Sequence, residues 1–83
     1  MVKQLHTMKE NKRTALAIFI KARRKMLRIN QVELAEKAGV GLRFVRDMEQ
    51  GKASLRMDKV NDVLRLFGHE LGPVDMDRDK LLP

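Results

Sequence analysis

Between Asn30 and Lys52 the chain reads NQVELAEKAGVGLRFVRDMEQGK, two short amphipathic segments separated by glycines. This spacing constrains the fold more than any other feature. If Gln31 opens a helix, Leu34, Ala35 and Ala38 recur at three- and four-residue intervals along one face. Ala35 is small enough to let a second helix cross closely. Gly39 follows the last periodic residue, where a chain leaving a helix enters the left-handed region that glycine adopts cheaply. In the second segment Val45 and Met48 lie one turn apart and face the Leu34 and Ala35 side, while Arg43, Asp47 and Gln50 point away and Arg46 sits on the flank. Gly51 ends this helix as Gly39 ends the first. Asn30 is a good N-cap, and Glu33 three residues later completes a capping box.

The flanking sequence is helical as well. From about Lys12 to Leu27 the residues Ala15, Ile18, Phe19, Ala22 and Met26 recur at helical spacing, predicting an amphipathic helix with these as its apolar stripe. Arg28 and Ile29 connect it to the motif. After a loop through Ala53, Ser54 and Leu55, a last helix is expected from about Met57 to Phe67, burying Val60, Val63, Leu64 and Phe67. Asp58 suits its positive end and Gly68 its close. The following HELGPV, residues 69–74, alternates weakly and admits an edge strand that Pro73 would limit. The expected fold is therefore all-α, a compact bundle of four to five helices with room for a short C-terminal strand. Residues 1–11 read as a flexible arm in which Thr7 and Glu10 offer one capped turn, 12–68 as the helical domain, 69–75 as the strand and 76–83 as a flexible tail.

At 83 residues the chain makes one domain with a small core, and it has no cysteine to staple it. Small secreted domains are usually disulfide-rich, so the composition favours a reducing compartment, the cytoplasm. The longest uncharged apolar stretch, Thr14 to Ile20, is far short of the roughly 20 residues a membrane span needs. The N-terminus lacks the apolar run and small-residue cleavage site of a secretory signal. Eighteen basic against eleven acidic side chains leave a formal charge of +7, which favours a polyanionic partner, with phosphate backbones the default. The basic residues crowd into Lys3 to Arg28 and recur at Arg43, Arg46, Lys52 and Arg56.

In Gln31, Leu34, Ala35, Gly39, Val45, Met48 and the closing Glu49-Gln50-Gly51-Lys52, the chain resembles the phage-repressor type of helix-turn-helix, the XRE or Cro/C1 class. The similarity covers roughly residues 14–74. The continuation LRMDKVNDVLRLFGHELGPV, residues 55–74, resembles the HipB-like antitoxins within that class, in which a last helix is followed by a short strand. The resemblance implies a regulator of transcription, a repressor, binding double-stranded DNA as a homodimer. Its antitoxin branch implies a cognate toxin protein as a second partner. It also implies an ion pair between Arg24 and Glu49 that ties the first helix to the second helix of the motif, and a place near the phosphate backbone for Asn30, Gln31 and Gln50. Gly41 departs from the pattern, because serine or threonine commonly caps the second helix at that position. Pro73 departs too and weakens pairing of the strand across a twofold axis.

In a helix-turn-helix the second helix presents its first residues to base edges while the helix before it and the loop after it grip phosphates. Gly41, Leu42, Arg43, Arg46 and Asp47 are accordingly the candidate base contacts. Arg43 leads, since an outward guanidinium can bond guanine O6 and N7 together. Leu42 and Phe44 have thymine methyls as one target and core packing as the other, with packing favoured. Arg46 suits the backbone; Asp47 meets phosphate repulsion unless it accepts from a cytosine amino group, and the two form a surface ion pair in the bland reading. Asn30, Gln31, Gln50, Lys52 and Ser54 are the candidate phosphate contacts, the first two at a helix start where free amides attract anions.

Enzymatic readings find little support. His6 and His69 lie in the arm and the strand segment, no Cys/His cluster offers a metal site, no phosphate-binding GxxxxGK loop or other cofactor motif appears, and Asp58 with Asp62 reads as a solvated face. The rival of another class is an interaction module. IFIKARRKML, residues 18–27, is a basic amphipathic segment of the kind that fits a partner's groove or lies on an anionic membrane, although its stripe is more economically used as core. Recognition of single-stranded RNA lacks its stacking aromatics, with three phenylalanines and no tyrosine or tryptophan.

Overall fold

The computed structural model describes residues 14–76. Four helices follow in order, α1 Ala15–Met26, α2 Gln31–Ala38, α3 Leu42–Glu49 and α4 Met57–Arg65. The arm at 1–11 and most of the tail at 76–83 lie outside the described residues, as do Lys12, Arg13, Thr7 and Glu10. Thr14 opens α1 by accepting a hydrogen bond from the Ala17 amide at 3.0 Å, so the helix starts three residues later than its periodicity predicts. At α2 the capping box forms as expected. Asn30 Oδ1 accepts from the Glu33 amide at 2.8 Å, and Glu33 Oε1 accepts from the Asn30 amide at 2.9 Å.

The core joins all four helices. Ile20 of α1, Leu34 and Ala35 of α2, Val45 and Met48 of α3, and Val60, Val63 and Leu64 of α4 form one buried cluster. Leu42, Phe44 and Phe67 pack against it from the margin. The predicted facing of Val45 and Met48 toward Leu34 and Ala35 is thus realised, and small Ala35 permits the close crossing of α2 and α3.

Of the stripe expected on α1, Phe19 packs on the core and the rest does not. Ala17 and Ile20 are buried and Leu16 and Phe19 are partly covered, whereas Ile18 and Met26 are 59% and 71% exposed and Ala15 and Ala22 are also outside. The inward side is the one that carries fully buried Ile20 together with Arg24, whose guanidinium meets Glu49. A charged residue counted as polar in the periodicity is here part of the inward face.

Residues 69–74 pair with no strand among the described residues. The Leu71 amide donates instead to Asn61 Oδ1 at 2.7 Å, and the Leu71 side chain closes the edge of the core. One extended segment without a neighbouring strand has no ladder to join.

The exits of the four helices share one geometry. After α2, the Gly39 amide donates to the Glu36 carbonyl at 3.3 Å and that of Val40 to Ala35 at 3.0 Å, with Gly39 left-handed at φ 73°. These are the paired bonds of a Schellman closure. At the end of α1 the same pair runs from Arg28 to Lys25 at 3.0 Å and from Ile29 to Arg24 at 3.3 Å, but the left-handed residue, φ 59°, is Arg28. A side chain there crowds its own carbonyl, costing about 1–2 kcal/mol.

Candidate nucleic-acid interface

With Val45 and Met48 turned fully inward, the opposite side of α3 is left to solvent. Arg43, Arg46 and Gln50 are exposed and Asp47 is half-buried. Leu42, Arg43, Arg46, Asp47 and Gln50 line a shallow concavity, which adjoins another lined by Asp47, Gln50, Gly51, Lys52 and Ala53. Six of the ten sequence-predicted contact residues therefore share one continuous surface. Ser54 follows on the exposed loop.

Gly41 precedes α3 in an extended conformation, φ −76° and ψ 153°, and supplies no side-chain cap. A Cβ there would meet nothing within 4 Å, so space does not demand glycine. Leu42 and Phe44 both pack against the core while Leu42 also edges the outer concavity.

Asp47 is paired, though not with Arg46. Lys52 Nζ stands 3.6 Å from its carboxylate. The loop that follows α3 thus brings a candidate phosphate contact against a candidate base contact. The turn depends on Gly51 at φ 82°, with the Lys52 amide returning to the Asp47 carbonyl at 3.0 Å.

Asn30 and Gln31 stand at the start of α2, but their side chains are engaged internally. Asn30 caps, and Gln31 Nε2 donates to Glu49 Oε1 at 3.1 Å. The cap takes up the Glu33 amide, leaving the backbone N–H groups of Gln31 and Val32 as the anion-facing donors of that turn. The Gln31–Glu49 bond is one the sequence reading missed, since no spacing rule links residues 18 apart.

Beneath this surface Arg24 and Glu49 form the two-point pair implied by the resemblance. Nε to Oε2 is 2.7 Å and Nη2 to Oε1 is 3.0 Å, and Nη1 also donates to the Ile29 carbonyl at 3.1 Å. Burial by itself would push the Glu49 carboxyl up. Its bonds from Arg24 and Gln31, with the charges of Arg24 and Lys21, outweigh that and hold it below the usual carboxylate range. The pair fixes the end of α3 against α1 and the start of α2.

The matched family model is described as a helix-turn-helix and spans residues 20–72. The chain belongs to the helix-turn-helix family. In this helix-turn-helix chain the matched region holds the C-terminal half of α1, both helices of the motif and α4. A relative from Sinorhizobium fredii (strain NBRC 101917 / NGR234), the HTH-type transcriptional regulator y4mF, is 49% identical over 45 residues. That alignment covers 54% of the present chain and 59% of the relative, so little more than half of each protein is compared. No solved structure gave a significant match. Among the described residues no helix is long and apolar enough to cross a membrane.

Proposed function

We propose that the chain is a sequence-specific double-stranded DNA-binding regulator of transcription, a repressor that acts in the cytoplasm by occupying its operator. The observation that carries this reading is the outer side of α3, where Arg43, Arg46 and Gln50 stand free while Val45 and Met48 anchor the helix on Leu34 and Ala35. A short helix held from behind with a cationic front fits the major groove. In this reading Arg43 reads a guanine edge, Arg46 and Asp47 flank it, and Gly41 and Leu42 approach the bases at the helix start. The backbone is gripped from one side by Asn30, Gln31 and the first amides of α2, and from the other by Gln50, Lys52 and Ser54. The membership of the family and the relative's description as a transcriptional regulator support the same conclusion.

Two copies would read a pseudo-palindromic operator with half-sites about 34 Å apart, one helical turn. The apolar concavity at the start of α4, edged by Leu55, Met57, Val60 and Leu71, supports a homodimer built there. The likeness to HipB-like antitoxins extends the proposal to a cognate toxin protein as second partner.

Selection from a pool of random duplexes at physiological salt tests the reading. An enriched sequence with twofold symmetry supports it; uniform recovery of all duplexes refutes sequence-specific binding.

A further inference from the structure

The outer side of α1 carries two parallel rows with nothing upon them among the described residues. At about 100° per residue, Ile18, Ala22 and Met26 fall within one sector of about 80°, and Lys21 and Lys25 run beside them. Ile18 is 59% and Met26 71% exposed, and both lysines are exposed. Ala17, Ile18, Lys21, Ala22 and Lys25 line an open groove with Glu49 at its inner margin. An apolar ridge beside a cationic one is an unusual surface to leave bare.

The same chain carries a segment of complementary pattern. Residues 74–79 read VDMDRD, so Val74, Met76 and the stem of Arg78 alternate with Asp75, Asp77 and Asp79. Val74 is 88% and Met76 64% exposed. Laid extended along a helix, such a segment turns its apolar side chains to one flank and its carboxylates to the other. The repeats agree. Alternate residues of an extended chain are about 6.7 Å apart, and residues four apart on a helix are about 6.0 Å apart. Val74 and Met76 can follow Ile18 and Ala22 while successive aspartates follow Lys21 and Lys25.

We infer that the groove on α1 binds the acidic tail, residues 74–79, of a second copy of this chain. The tail's own helix is the poorer host. Leu71 lines a concavity with Thr14 and Leu16, so the chain departs past Leu16, about 160° around α1 from Ile18. The N-terminal segment, rich in lysine, is disfavoured by like charge.

The test uses a labelled peptide of residues 72–83 and the full chain carrying D75S/D77S/D79S, so that its own tail matches neither groove charge. Fluorescence anisotropy at low salt should show saturable binding that weakens by about tenfold on adding K21E/K25E, as expected for a few partly exposed ion pairs, and weakens again as salt rises. A peptide carrying D75K/D77K/D79K should reverse this preference, binding the K21E/K25E groove and not the original one. I18S/M26S, at exposed positions, should weaken binding without changing the melting temperature. The proposal is overturned if both groove charges bind the peptide equally, if the charge-swapped peptide fails to reverse the preference, or if a peptide of residues 1–13 binds more tightly than the tail.

Discussion

Arg24 and Glu49 meet through two hydrogen bonds of 2.7 and 3.0 Å across 25 residues of sequence, and their side chains retain only 13% and 4% of their accessible surface. Removing one member strands the other. Arg24→Ala should destabilise the fold by about 3 kcal/mol, whereas replacing both by apolar residues of similar volume should recover most of the loss. Denaturant titration of the single and double variants measures the difference.

The same pair sets the acid limb of stability. The folded-state carboxyl of Glu49 is held below its ordinary value of 4.5, so its contribution is complete above that value and disappears as pH falls through the lower, folded one. Glu49→Gln should flatten stability against pH below about 4.5. An acid limb as steep as that of the unsubstituted chain would assign the dependence to other carboxylates.

Asn30→Ala removes the acceptor that holds the Glu33 amide at 2.8 Å. The cost should be about 1 kcal/mol. For a domain of this size that corresponds to a fall in melting temperature of about 4–8 °C, read by circular dichroism.

Arg28 is the non-glycine residue at positive φ among the described residues. Arg28→Gly should relieve the left-handed crowding and stabilise the chain by about 1 kcal/mol. A lower melting temperature would mean that the arginine side chain contributes more than its backbone strain costs.

Arg43 and Lys52 should part company on DNA. Arg43→Ala is expected to cost about 1–3 kcal/mol on the selected duplex and to relax preference at one base pair, while Lys52→Ala should weaken all duplexes alike and reduce the salt slope by about one. Lys52 stands 3.6 Å from Asp47 with half its surface exposed, so losing that contact should leave stability nearly unchanged. Equal loss on selected and random duplexes for Arg43→Ala would remove it from the base readers.

Local signals carried the central motif. Asn30 with Glu33, Gly39 and Gly51 with the turns they permit, and the three- and four-residue recurrence of Leu34, Ala35, Val45 and Met48 are all written within one or two turns of helix. Neighbours along the chain decide such features, and the outward direction of Arg43 followed from them. The limits of α1 were less legible. Thr14 caps two residues after the expected start at Lys12, and Arg24 disguised the inward face.

Local chemistry specified the helical segments, the capping box of Asn30 with Glu33, the glycine exits at Gly39 and Gly51 and the cationic front of α3, because backbone hydrogen bonding and side-chain periodicity act over a few residues. Tertiary structure alone decided which side of α1 is buried, that Gln31 turns to Glu49, and that Lys52 stands beside Asp47. The meetings at Glu49 join groups 18 and 25 positions apart, where only packing of whole helices fixes distance and where a buried charge left unpaired would be costly.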